Sequence, residues 1–175
     1  MAIKKQKSID KETIFSEFES IEAIGKGEEI NPEQRGETLQ ERFNRERQEW
    51  ERRIKDMASR IKEVDELTDL QVDVYSARQE LVEYYHYLMS LIFVKNMEIR
   101  KKKKERLEYY ITGYDFKLDK EQKEMYIKID LEDLYIIRDE LENHLKYINS
   151  TIMTIDNIIY GIKHRLTIEE YKRRL

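Results

Sequence analysis

The sequence contains no cysteine, one proline and five glycines in 175 residues. The absence of cysteine excludes disulfides and any site that needs a thiolate as metal ligand or nucleophile. The scarcity of proline and glycine leaves little material for tight turns. The longest apolar run, LMSLIFV at 88–94, is far shorter than a membrane-spanning helix. We therefore expect a cytoplasmic protein, since nothing in this composition requires an oxidising compartment.

Charge is abundant but unevenly distributed. Charged residues make up 40% of the chain and the mean hydropathy is −0.84, which is typical of long, exposed helices and predicts an all-α fold. The formal net charge is −4, yet residues 95–106 carry a local charge of +5 while residues 16–33 are rich in glutamate. A polyanionic partner is therefore not excluded; its binding would be confined to one segment.

The pattern along the chain predicts three regions. Residues 1–36 combine excess acid with three glycines and the only proline, which predicts a flexible N-terminal extension. A short partner-binding motif around Ile14, Phe15 and Phe18 is the alternative for this region. Residues 37–128 are predicted to be a helical region that ends in a turn, and residues 129–175 a C-terminal oligomerisation helix.

Helical periodicity is the strongest structural signal. One stripe has the 4,3 spacing of a coiled-coil seam and consists of Trp50, Ile54, Met57, Ile61 and Val64. A second stripe runs from Leu67 to Leu91, and Gly113 predicts the end of its helix. The clearest repeat predicts the oligomerisation seam and comprises Leu141, Leu145, Ile148, Ile152, Ile155, Ile159 and Ile162.

Catalytic chemistry finds little support in the sequence. The three histidines, His86, His144 and His164, are far apart and form no HxxxH or HExxH motif, so a zinc site is not indicated. No glycine-rich phosphate-binding loop is present. We therefore expect no enzymatic activity, no metal site and no cofactor.

The basic segment is the best functional lead. Cations and aromatic rings that lie within one or two turns of a helix are the combination that single-strand binders use, because cations track phosphates and rings stack on unpaired bases. The alternative is a solvated helix end without a binding role. The candidate DNA-binding residues are Lys101, Lys102, Lys103, Lys104, Arg106, Tyr109 and Tyr110.

Residues 104–116, KERLEYYITGYDF, followed by KLDKEQKEM, resemble the UvsY family of recombination mediators from T4-type bacteriophages. The segments NHLKYI and YGIKHR resemble the final helix of that family, so the resemblance covers roughly residues 66–175. Residues 37–64 and the acidic 1–36 have no counterpart. By this match, Lys104 and Arg106 correspond to DNA contacts.

The resemblance implies a ring-shaped homo-oligomer, heptameric in the type member, that binds single-stranded DNA without sequence preference. It further implies that the partners are a recombinase and a single-stranded-DNA-binding protein, in the cytoplasm of an infected host cell. A coiled-coil scaffold or adaptor without a nucleic-acid role is the alternative, and it would treat the lysines as solvated surface.

Overall fold

The computed structural model describes residues 37–114 and 116–174 of the chain. Within these residues the fold is all-α with long helices, as predicted, and contains no strand. The predictions for residues 1–36 lie outside the described part. The elements are α1 (Leu39–Arg60), a 3₁₀ helix (Val64–Glu66), α2 (Leu67–Thr112), α3 (Lys120–Asp130) and α4 (Glu132–Arg174).

α1 and α2 form an antiparallel hairpin. Phe43, Trp50 and Met57 recur every seven residues along α1 and are buried. Two ion pairs show that the helices run in opposite directions. Arg60, at the end of α1, binds Asp73 near the start of α2 at 2.8 Å. Arg53, earlier in α1, binds Glu80, later in α2, at 2.8 Å.

The chain reverses at the 3₁₀ helix. The predicted seam of α1 extends beyond its helix, since Val64 lies in this 3₁₀ turn. Arg60 also contacts Glu66 at 3.2 Å, which ties the turn to the end of α1.

α4 packs on this hairpin, parallel to α1 and antiparallel to α2. The Tyr147 hydroxyl donates to the Arg47 carbonyl over 3.0 Å, and Gly161 faces Ile61 near the other end of α1. Arg78 of α2 binds Asp156 of α4 at 2.7 Å. The apolar stripes of α2 and α4 meet in the core. The most deeply buried side chains there are Leu67, Leu70, Val74, Leu81, Leu88, Ile148, Ile155 and Ile162.

The C-terminal part of α2 packs against a second, smaller apolar cluster. Tyr110, Ile127 and Leu131 form its centre, with partly buried side chains around them. α2 ends at Thr112, and the Gly113 amide donates to the Tyr109 carbonyl over 2.8 Å, which agrees with the predicted stop. Asp119 and Gln122 form a capping box at the start of α3. The sequence of this segment is compatible with either a loop or a helical turn, and the structure shows a helix.

Gly161 offers a test of the packing between α1 and α4. A Cβ atom at this position would lie 3.7 Å from Cδ1 of Ile61, which is ordinary van der Waals contact. Glycine inside a helix costs about 0.5–1 kcal/mol relative to alanine. We therefore expect Gly161→Ala to raise the free energy of unfolding by about that amount in urea titrations.

Gly113→Ala is the matched control. Its Cβ would meet the Tyr109 ring at 3.2 Å, closer than ordinary contact, at the end of α2. We expect no gain in stability for this variant. A decrease of stability in Gly161→Ala would contradict the packing of α4 on α1.

Candidate interaction surface

A buried polar cluster joins the three long helices. Glu46 of α1 accepts a hydrogen bond from the Tyr84 hydroxyl of α2 at 2.6 Å and contacts Nε2 of His144 on α4 at 3.0 Å. His144 is completely buried, and its ring stacks on Phe43 with the ring centroids 3.9 Å apart. Since the Glu46 carboxylate can only accept, we assign the proton to Nε2. The second ring nitrogen, Nδ1, has no hydrogen-bond partner in the described part of the chain.

The electrostatics of this cluster favour an ionised Glu46. Burial acts to raise the pKa of its carboxyl, but three hydrogen-bond donors outweigh burial and lower the pKa of Glu46 from 4.5 to about 2. The third donor is Arg42, one turn before it on α1, at 3.0 Å. Burial and the adjacent carboxylate raise the pKa of Tyr84, which keeps its hydroxyl protonated as a donor. The cluster is thus a fixed polar contact that sets the register of all three helices.

Sequence reasoning did not identify this cluster. In the sequence, His144 is an isolated histidine, and Glu46 lies in a run of charged residues typical of a solvated face. A histidine within the apolar repeat of α4 was the available signal, because such a position needs a polar partner when it is buried.

The basic segment lies on the exposed C-terminal part of α2. Lys101, Lys102, Lys103 and Lys104 are all exposed, and within the described residues none of them has an ion-pair partner. Arg106 differs, since its Nε lies 3.4 Å from the Asp130 carboxylate. Four consecutive residues cover every side of a helix, so the lysines form a collar rather than a single track.

The two candidate tyrosines occupy different environments. Tyr110 is only 8% exposed, and its hydroxyl donates to Asp130 over 2.9 Å. Burial and that carboxylate raise the pKa of Tyr110. Tyr109 keeps an exposed ring, in edge contact with Tyr110 at a centroid distance of 5.2 Å. Of the two rings, only that of Tyr109 is open to a stacking base, because α3 packs over the other.

The predicted oligomerisation seam lies mostly inside the subunit. Leu141, Ile148, Ile155, Ile159 and Ile162 are buried in the contacts of α4 with its neighbours in the same chain. In the single chain these five side chains are covered by neighbouring helices, and the role of the seam in oligomerisation stays a prediction. Leu145 and Ile152 are half-buried and keep part of their surface exposed.

A second apolar stripe of α2 remains exposed. Its side chains are between 42% and 66% exposed, which is unusual for a series of large apolar groups on one helix. The members of this outer stripe are Tyr75, Met89, Phe93, Met97, Leu107 and Ile111. Arg100 and Lys104 continue the same face between Met97 and Leu107, at spacings of three and four residues.

The outer stripe lies on the side of α2 that faces away from α1. Asp73 points towards α1, where it binds Arg60. Tyr75 follows two residues later and is turned by about 200°, so it points in roughly the opposite direction. Sequence reasoning followed only the stripe from Leu67 to Leu91 and missed this one, because polar residues interrupt its spacing between Tyr75 and Met89 and between Met97 and Leu107.

Metal-binding side chains are not brought together in the part of the chain that the structure describes. The described residues contain no group of three or more histidine, aspartate or glutamate side chains placed to hold a metal ion. Among these residues there is also no helix long and apolar enough to cross a membrane.

Comparison with known proteins points to a coiled-coil family. The family model of the SOGA 1/2-like coiled coil matches residues 33–72, a stretch that includes α1, the 3₁₀ helix and the first residues of α2. No curated protein and no solved structure matches the chain. The match covers less than half of the chain, and it fits the long helices of this structure.

The resemblance to the UvsY recombination mediators is therefore wrong. The matching family model is a coiled coil and not a recombination mediator family. The motif that suggested the resemblance, around Arg106, Tyr109 and Tyr110, consists of residue types that also arise at a charged helix end. In this fold, Tyr110 and Arg106 both contact Asp130.

The polar cluster predicts how stability depends on pH. The pKa of Glu46 is lower in the folded chain than its usual 4.5, so the carboxylate contributes stability above pH 4.5. That contribution disappears as the pH falls towards about 2. We expect Glu46→Gln to be less stable than the wild type by about 2 kcal/mol at neutral pH, with the difference shrinking in acid.

Urea unfolding of both proteins between pH 7 and pH 2.5 measures this difference. Glutamine keeps the size of the side chain and one acceptor oxygen, so the variant should still fold. A stability difference that stays constant across this pH range would contradict the assigned role of the carboxylate.

Proposed function

We propose that the chain is a coiled-coil scaffold or adaptor that binds helical partners through the outer stripe of α2. The observation that carries this proposal is the exposure of six large apolar side chains on one face of α2. An apolar stripe along one face of a helix is what a second helix packs against. The match of α1 to a coiled-coil family model supports the same class of protein.

The packing of α2 against two neighbouring helices supports this function. Its inner side is fixed by α1 through Glu80 and Tyr84, and by α4 through Arg78. A surface held on a packed helix gives up little conformational entropy when a partner binds, which favours affinity.

Site-specific photo-cross-linking tests the proposal. Phe93, 66% exposed at the centre of the stripe, is replaced by a photoreactive benzoylphenylalanine in cells that express the chain. We expect cross-linked peptides, identified by mass spectrometry, that come from helical segments with apolar residues spaced by three and four. Tyr171 of α4, 67% exposed and outside the stripe, is the matched control position.

Two outcomes would overturn the proposal. One is a Phe93 position that yields no protein cross-links. The other is equal cross-linking at both positions to the same proteins, which would mark non-specific contact with exposed aromatic rings.

A second candidate function is sequence-independent binding of single-stranded nucleic acid. The observation that favours it is the collar of four exposed lysines, none with an ion-pair partner in the described part of the chain. The exposed ring of Tyr109 lies about two turns further along α2. Such a pairing of cations with an aromatic ring can hold phosphates and stack on a base.

Oligonucleotide binding tests this second function. We expect a Lys102→Gln, Lys103→Gln double variant to weaken binding to labelled oligo(dT). The salt slope should fall by about 0.7 for each phosphate that the variant no longer neutralises. The matched control replaces Lys55 and Lys62, two lysines outside the collar. Absence of binding in low salt, or an equal decrease of affinity in the control, would remove this candidate.

A further inference from the structure

Five of the six members of the outer stripe are symmetric about Phe93, whereas the sixth, Leu107, has the polar Gln79 as its counterpart. Met89 and Met97 lie four residues on either side of it, and Tyr75 and Ile111 lie 18 residues on either side. Since 18 residues make five turns of an α-helix, Tyr75, Phe93 and Ile111 point in the same direction. All five side chains are exposed.

An apolar pattern that reads alike in both directions can pack against itself in antiparallel orientation. A two-fold axis through Phe93 would place Phe93 against Phe93 of a second copy and Met89 against Met97 of that copy. Tyr75 would face Ile111 of the second copy at each end. Every apolar group of the symmetric set then has an apolar mate, as an isologous interface requires.

The charges beside the stripe discriminate between antiparallel and parallel pairing. Glu83 and Lys101 are also 18 residues apart, so they lie on the same flank of the stripe. Antiparallel pairing brings Glu83 within about two residues of Lys101 of the second copy, on both sides of the axis. Neither side chain has an ion-pair partner among the described residues, and the Glu83 carboxylate accepts a hydrogen bond only from the neutral amide of Gln79 at 2.9 Å, so both charges are uncompensated there.

Parallel pairing would instead align like charges. Arg100 and Lys104, which lie on the face of the stripe itself, would each face the same residue of the second copy. Repulsion of this kind is destabilising at helix–helix contacts. The sequence of the stripe therefore favours one of the two orientations.

We propose that two copies of this chain associate through the outer stripe, with their α2 helices antiparallel and crossing at Phe93. This inference rests on the proposed function of the stripe as a surface for helices and names a second copy as its partner. The two copies form a closed pair, because each stripe is used once by the other.

Sedimentation equilibrium of the purified chain is the first test. We expect a reversible dimer for the wild type, and a dissociation constant raised on the order of thirty-fold or more in Phe93→Glu. The Phe93 side chain is exposed in the single chain, so the variant should stay folded, which circular dichroism verifies. Tyr171→Glu is the matched control and should dimerise as the wild type does.

Engineered cysteines test the orientation, and the native chain has no cysteine to interfere. A short bis-maleimide should join Phe93→Cys to itself, because the two copies of this residue meet at the axis. Tyr75→Cys alone and Ile111→Cys alone should remain uncrosslinked, whereas a mixture of these two variants should form a joined pair. Tyr171→Cys should give no product.

Three results would overturn the self-association. They are a monomeric wild type at about 100 µM, a dimer that Phe93→Glu leaves unchanged, and efficient joining of Tyr75→Cys to itself, which indicates parallel pairing. A monomeric chain whose Phe93 position still cross-links to another helical protein would refute the second copy as partner and leave the proposed function standing. If the chain is monomeric and its Phe93 position cross-links to no other protein, both the second copy as partner and the proposed function are refuted.

Discussion

The constraint on which this structure depends is that α2 carries two apolar stripes, of which the other described helices cover one. α2 comprises 46 residues and is about 70 Å long. Its inner stripe, from Leu67 to Leu88, is buried against α4 and the hairpin partner α1. Its outer stripe, centred on Phe93, meets no other element among the described residues. Exposing that much apolar area to water costs free energy, which packing against a second helix would recover. This cost is the physical basis for our proposal that the chain associates with other helices through the outer stripe.

The polar cluster of Glu46, Tyr84 and His144 determines which stripe of α2 is the inner one. Apolar packing alone tolerates shifts of register, whereas a buried carboxylate with three donors has one satisfactory arrangement. Placing Tyr84 against Glu46 turns the Leu81 side of α2 inward and leaves the Phe93 side outward. The cluster thus links a local hydrogen-bond requirement to the surface that is available for partners.

Several features could be predicted from the sequence because they depend on local pattern. The inner stripe of α2 and its end near Gly113 follow from apolar periodicity and helix-stop chemistry. The sequence could not show whether an apolar seam packs within the chain or against another chain. The seven-residue spacing of Ile148 and Ile155 is the same in both cases. Tyr109 and Tyr110 are adjacent in sequence, and only the packing of α3 separates an exposed ring from a buried one. The pairing of His144 with Glu46 links residues that are 98 positions apart.

Oxidation of the methionines by dilute peroxide, followed by mass spectrometry at increasing protein concentration, tests the central claim most directly. Met57 is buried, Met89 and Met97 lie in the outer stripe, and Met153 is exposed on α4. In dilute solution the account predicts rapid oxidation of Met89, Met97 and Met153 and slow oxidation of Met57. As the concentration rises, Met89 and Met97 should become protected while Met153 does not. Protection of Met89 and Met97 at every concentration, or at none, would contradict a stripe that is free in the single chain and covered on association.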